Sequence, residues 1–135
     1  MKKIILIFIY CFMINTMVVA ATVTSDKCNG DAGIIIVSDD GRRYCEGEYF
    51  RTKNWWSARL WCRKMGSDLV DIQKDCGCLI ENCVTCPNLF VKSSSSHYWA
   101  KNSYPNGKAA ALIHGRSSIA KVDKKTTYVP ICPMQ

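Results

Sequence analysis

The chain has 135 residues, with 18 Lys or Arg against 11 Asp or Glu, a formal net charge of +7, and nine cysteines. Positive charge of this size attracts anionic polymers and membranes. No arginine-rich run or nucleic-acid motif accompanies it, so nucleic acid drops out, and the charge reads first as what keeps an exported domain soluble.

Met1-Lys2-Lys3 is followed by the uncharged run IILIFIYCFMINTMVVA. A basic start, an apolar stretch and small residues at its end predict a secretory signal peptide over 1–21. Val18 and Ala20, or Val19 and Ala21, suit the cleavage rule, so the mature chain is expected to begin near Ala21 or Thr22. Uncut, the run approaches the ~20 residues that span a bilayer, and only then would the protein touch a membrane through it. Asn15 and Thr16 interrupt it. The remainder, 22–135, is one domain's worth of chain, large enough to bury roughly two thirds of its unfolded surface.

Cys11 falls in the signal, leaving Cys28, Cys45, Cys62, Cys76, Cys78, Cys83, Cys86 and Cys132. An even number in a small exported chain reads as a disulfide framework, and the localisation it implies is secreted, periplasmic or extracellular.

In chain order, IIIV (34–37) is β-branched and predicts a short buried strand. Asp40-Gly41 is a hairpin turn signal, RRYC (42–45) returns as the second strand, and EGEYF continues it with a bend at Gly47. TKNWWSARLWCRKMGSD predicts a helix over about 54–66, capped by Thr52 or Asn54. Trp55, Ala58, Cys62 and Met65 share one face, Trp56 and Trp61 lie off it, and Gly66 ends the helix in a left-handed conformation. DLVDI (68–72) follows as a strand-like entry into the core.

The segment CGCLIENCVTC (76–86) invites three readings. Four thiolates can close a tetrahedral zinc site, and Cys83-Val-Thr-Cys86 resembles a redox pair. A reactive thiol wants a helix N-terminus or a nearby cation; here Glu81 precedes the pair and Pro87 follows it. The oxidising compartment favours staples instead. Cys76 and Cys78, one residue apart, point to opposite sides and should not pair with each other. If the four pair among themselves, the open patterns are 76–83 with 78–86 and 76–86 with 78–83. Either makes a rigid loop that holds Leu79 and Val84 inward or displays Glu81 and Asn82. Sequence alone leaves the eight cysteines 105 pairings. No metal or cofactor is expected.

KSSSS (92–96) is a polar link too short to separate domains. From 97 to 132 the pattern predicts several short strands broken at 105–107 and at Gly115. His97 and His114 have no acid and serine beside them, so a catalytic triad is not expected. In YWAKNSYPNG, Tyr98, Trp99 and Tyr104 alternate with Lys101, Asn102 and Asn106. Aromatic rings and amides are what sugar or protein ligands use, so these six are the candidate binding residues, although Tyr98 and Trp99 also fit a core strand.

Trp55, Ala58, Cys62, Gly66, Leu69 and Ile72 stand at the offsets of a known signature: tryptophan, alanine three later, cysteine and glycine at further steps of four, then leucine and isoleucine at steps of three. With the closing YVPIC (128–132), this resembles the C-type lectin-like domain, over about 43–132. The resemblance implies an α+β, disulfide-stabilised fold of short antiparallel strands with one clear helix. It implies a Cys62–Cys132 bridge and a Cys28–Cys45 pair, leaving Cys76 and Cys78 to pair with Cys83 and Cys86. The family's calcium triplets, Glu-Pro-Asn or Gln-Pro-Asp and Trp-Asn-Asp, are absent, and Asp123 is the only carboxylate between 87 and 132. Calcium wants six to eight oxygens. The expectation is a secreted, non-enzymatic, calcium-independent module that binds a protein or glycan. The alternatives are a thiol-redox or metal-binding protein acting through 76–86 and a basic antimicrobial, membrane-active protein.

Overall fold

The computed structural model describes residues 27–38, 41–77, 86, 97–113 and 118–134. The expected signal peptide with Cys11, Asp40 of the first turn, residues 78–85 with Cys78 and Cys83, the 92–96 link and His114 lie outside the described residues.

Seven strands and one helix follow in chain order: β1 (Lys27–Cys28), β2 (Gly33–Val37), β3 (Arg43–Gly47), α1 (Trp55–Arg63), β4 (Tyr98–Tyr104), β5 (Lys108–Ile113), β6 (Ser118–Asp123) and β7 (Val129–Pro133). They form one sheet in the order β1-β2-β3-β7-β4-β5-β6. All neighbours are antiparallel except β4 and β7, which run parallel through Tyr98↔Val129 and Trp99↔Pro130. The expected α+β, C-type lectin-like fold is therefore corrected. The described residues form a mostly β molecule, a mixed seven-stranded sheet with one nine-residue helix. The α+β expectation took its weight from a single helix signature. The strands after residue 97 instead join the N-terminal hairpin in one sheet, because β7 inserts between β3 and β4.

Strand periodicity builds a core on both sides. Side chains alternate along a strand, and the sheet sorts its residues accordingly. Tyr44, Tyr98, Ala100, Ala110, Leu112, Val129 and Ile131 pack with Val70, Ile72, Cys76 and Cys86. Their alternates Cys45, Trp99, Ala109, Ala111 and Cys132 pack with Trp55, Ala58, Trp61, Cys62 and Leu69. β5 and β7 are thus apolar at nearly every position, as is the Tyr98–Ala100 start of β4, the pattern of strands covered on both faces. The strand expected over 68–72 contributes only a single bridge, Val70 to Ala100, while Val70 and Ile72 still enter the core. EGEYF leaves the sheet at Gly47, and Arg51 N–H closes a turn on the Glu48 carbonyl.

The Asn54 side chain accepts from Ser57 N–H at 2.9 Å and starts α1. At the other end Ser67 N–H returns to the Cys62 carbonyl and Gly66 N–H to Arg63, around Gly66 at φ 75°. That pairing requires a left-handed residue, which glycine adopts at no steric cost. Trp55, Ala58, Trp61 and Cys62 are buried. Trp61 corrects the expected face: the N-terminal segment covers it, and Asn29 Nδ2 donates to its carbonyl. Both buried indoles that cross the core find acceptors, Trp55 Nε1 on the Ala100 carbonyl and Trp99 Nε1 on Lys53, which removes the penalty of burying an N–H.

Three disulfides tie the described residues: Cys28–Cys45, Cys62–Cys132 and Cys76–Cys86. The first two are the pairs the resemblance implied; the third is one bridge of the 76–86 with 78–83 pattern, whose other bridge lies outside the described residues. Three intrachain bonds belong to an oxidising setting, extracellular or periplasmic.

Candidate functional site

The six residues nominated from the sequence do not form one surface. Tyr98 and Trp99 are fully buried; the Tyr98 hydroxyl donates to Glu46 Oε1 at 2.7 Å, and the Trp99 ring packs 5.0 Å from Tyr128. Their core pattern prevails because β4 is covered on both sides. Tyr104 and Asn106 belong to the β4–β5 hairpin, where Asn106 takes φ 64° in the turn and Lys121 Nζ lies 4.5 Å from the Tyr104 ring. Lys101 and Asn102 turn the other way, toward Asp71: Lys101 Nζ lies 3.3 Å from Asp71 Oδ2, and Asn102 Nδ2 donates to Oδ1 at 3.3 Å. His97 sits edge-on to Tyr128 at 5.2 Å.

Lys101 leads to an open cleft of about 610 Å³. Besides Lys101 on β4, its walls come from four separate stretches: the start of β3 (Gly41 to Tyr44), the helix exit (Gly66 to Leu69), the turn at Asp71, Lys74 and Asp75, and the C-terminal strand at Pro133 and Met134. Local chemistry fixes each wall. Asp71 Oδ1 caps the turn by accepting from Gln73 N–H, and Asp75 Oδ2 accepts from Asp71 N–H at 2.7 Å. Arg42 clamps the same turn, with Nη1 3.5 Å from Asp75 Oδ1 and Nη2 donating to the Asp75 carbonyl. Arg59 reaches from the helix to Asp68 with two guanidinium nitrogens at 3.0–3.1 Å. The Ser67 hydroxyl donates to the Pro133 carbonyl, pinning the C-terminal strand to the helix exit.

These contacts set the electrostatics. Partial burial alone would push Asp68 upward, but Arg59's hydrogen bonds, the Leu69 N–H and the charges of Arg59 and Arg63 hold it below the ordinary carboxylate value. Asp71 is likewise held low: partial burial opposes the shift, and the Gln73 and Lys74 N–H groups, Asn102 and Lys101 outweigh it. Asp68 and Asp71 are thus held as carboxylates, and all three aspartates are already engaged. The lining cations Arg43 and Lys74 make no side-chain ion pair among the described residues and are exposed, so the cleft offers spare positive charge above an ordered, ion-paired floor. Among the described residues no group of three or more His, Cys, Asp or Glu is gathered for a metal.

A second exposed feature lies on α1. Trp56 is 51% and Leu60 58% exposed, one helical turn apart. Lys124 Nζ stands 4.2 Å from the Trp55 ring and 5.9 Å from that of Trp56. The sequence reading missed the cleft because no single stretch carries it. The one local signal was Asp68, Asp71 and Asp75 at steps of three and four directly after the helix-ending glycine, a spacing of turn-capping carboxylates. No protein-family model matches the chain, and no curated protein matches it.

Proposed function

We propose that the protein is an exported, non-enzymatic binding module that recognises a glycan or protein ligand outside the cell, through the cleft between β3, the helix exit and the 71–75 turn. One observation carries the reading: the cleft's carboxylates are consumed by internal partners that rigidify its walls, while Arg43 and Lys74 remain available. A preorganised polar site with unspent cations suits a ligand bearing acidic groups, either an acidic glycan or an acidic protein surface. Calcium plays no part in this reading, since Asp68, Asp71 and Asp75 already serve cations and N–H groups of the chain itself. The serine of the cleft is likewise spent on a carbonyl, which supports binding over hydrolysis.

Binding of sulfated, uronate-bearing and neutral glycans and of acidic proteins, in EDTA, tests this. The expected result is selective capture of an acidic ligand that persists in EDTA and falls at least tenfold in Arg43→Ala/Lys74→Ala. Capture that needs calcium, or that ignores the double substitution, contradicts it.

A second reading has its own observation. Trp56 and Leu60 beside Lys124 and Arg63 make an apolar spot with a cationic rim, the composition of a surface that meets anionic lipid. Co-sedimentation with anionic vesicles that is lost in Trp56→Ala, rather than in the cleft variant, favours it.

A further inference from the structure

The second concavity of interest opens on the β1–β2–β3 edge, away from the cleft. It holds about 170 Å³, and its lining includes Lys27, Asp31, Ile34, Glu46, Glu48, Tyr49 and Phe50. Strand geometry explains the arrangement. Ile34 is the direct cross-strand partner of both Lys27 and Glu46, and side chains of directly opposed residues share a face. Glu46 is only 4% exposed, whereas Ile34, Tyr49 and Phe50 are 37%, 46% and 82% exposed.

A carboxyl in that position is unusual chemistry for the fold. Buried charges are normally paired, and the cation nearest in register, Lys27, makes no ion pair with Glu46. The Tyr98 hydroxyl at 2.7 Å is a neutral donor, and burial pushes the carboxyl above its ordinary value despite hydrogen bonds from Tyr98 and Tyr49. Glu48 is spent on Arg51 at 3.2 Å. With Glu48 paired, Asp31 and Glu46 stand against Lys27 in this lining, in a chain whose net charge is +7.

We infer that this pocket receives a single lysine or arginine side chain from a protein partner, its cationic end at Glu46 and its aliphatic stem against Ile34, Tyr49 and Phe50. The size argues for one side chain, since pockets for drug-sized ligands run to roughly 300–1,000 Å³. The exposed rings supply faces that attract a cation, and the partner's ammonium or guanidinium supplies the counter-charge that Glu46 lacks. The site is independent of the cleft: it has the opposite charge preference and shares no residue with it.

The test is an NMR titration of the mature protein with three probes: a capped pentapeptide with a central lysine, the same peptide with norleucine, and n-butylammonium. The lysine peptide should shift the Glu46, Tyr49 and Phe50 resonances and saturate, at least tenfold tighter than the norleucine peptide. Glu46→Gln keeps the shape and a hydrogen-bonding partner for Tyr98 but should weaken lysine-peptide binding about tenfold. Phe50→Ala, on a side chain with little packing, should weaken it severalfold with an unchanged spectrum elsewhere. Equal binding of lysine and norleucine peptides, no shifts at Tyr49 and Phe50, or n-butylammonium binding as tightly as the peptide would overturn the inference. Loss of acidic-ligand binding at the cleft leaves these outcomes untouched.

Discussion

The two faces of the sheet are held by different means. On the helix side, Trp55, Trp61 and Trp99 surround two disulfides, Cys28–Cys45 and Cys62–Cys132, which bind the N-terminal hairpin, the helix and the last strand together. The opposite face has, among the described residues, tyrosines and aliphatic residues, one bridge, Cys76–Cys86, between segments ten residues apart, and a buried polar pair, Tyr98 with Glu46. The edge pocket opens beside this second face at Glu46, and the cleft reaches it through Tyr44. The contrast suggests a division of labour: long-range covalent ties secure one side, which frees the margins of the other to carry charges that a core would not tolerate.

Breaking the ties should hurt unequally. Cys62→Ala/Cys132→Ala removes a bridge across 70 residues, with an expected cost of about 4 kcal/mol in the chain-entropy treatment. Cys76→Ala/Cys86→Ala, across 10 residues, should cost about 3 kcal/mol by the same relation. Urea unfolding of the non-reduced variants measures both, and equal midpoints would remove the asymmetry.

Next in size is the polar pair. Tyr98→Phe leaves the buried carboxyl of Glu46 short of a donor, at an expected cost of about 1–3 kcal/mol. In Tyr98→Phe/Glu46→Gln that cost should shrink, because the group left behind no longer ionises.

The two regions should also answer pH in opposite directions. Glu46 has a folded-state value above the ordinary 4.5, so the folded state holds its proton longer and stability falls as pH rises from about there through the folded value. Asp68 and Asp71 sit below the ordinary 3.8; their contribution is complete above that value and is lost as pH falls through the folded values. Melting curves from pH 2 to 8 should show a maximum, with Glu46→Gln flattening the alkaline slope and Asp68→Asn the acid one. A Glu46→Gln profile that overlays the parent's contradicts the burial argument.

The smallest effect is expected on the exposed helix stripe. Trp56→Ala and Leu60→Ala should change stability within about 0.5 kcal/mol, so any loss of surface binding in them reads as contact rather than unfolding.

Local signals were legible in the sequence. The β-branched run 34–37, the helix with its Asn54 start and Gly66 end, and the strand breaks after residue 97 can all be read from neighbours in the chain, although the 34–37 strand expected to be buried leaves Ile34 and Val37 exposed. The mixed sheet could not, because β7 pairs with β3 across more than eighty residues and with β4 in parallel, and pairing at that range leaves no periodic trace. Tyr98 and Trp99 were ambiguous for a related reason: a strand buried on both faces shows no alternation to tell core from surface. Glu46, a carboxyl between Cys45 and Gly47 on the buried part of its strand, was visible as a residue, but its meaning depends on Tyr98, fifty-two positions away.

A peptide map of the non-reduced protein tests the two-faced account most directly. Each described disulfide joins cysteines of one cluster: Cys28, Cys45, Cys62 and Cys132 on the helix side, Cys76 and Cys86 on the other. The map should return 28–45, 62–132 and 76–86. A peptide linking Cys28, Cys45, Cys62 or Cys132 to Cys76 or Cys86 would cross the sheet and contradict the account.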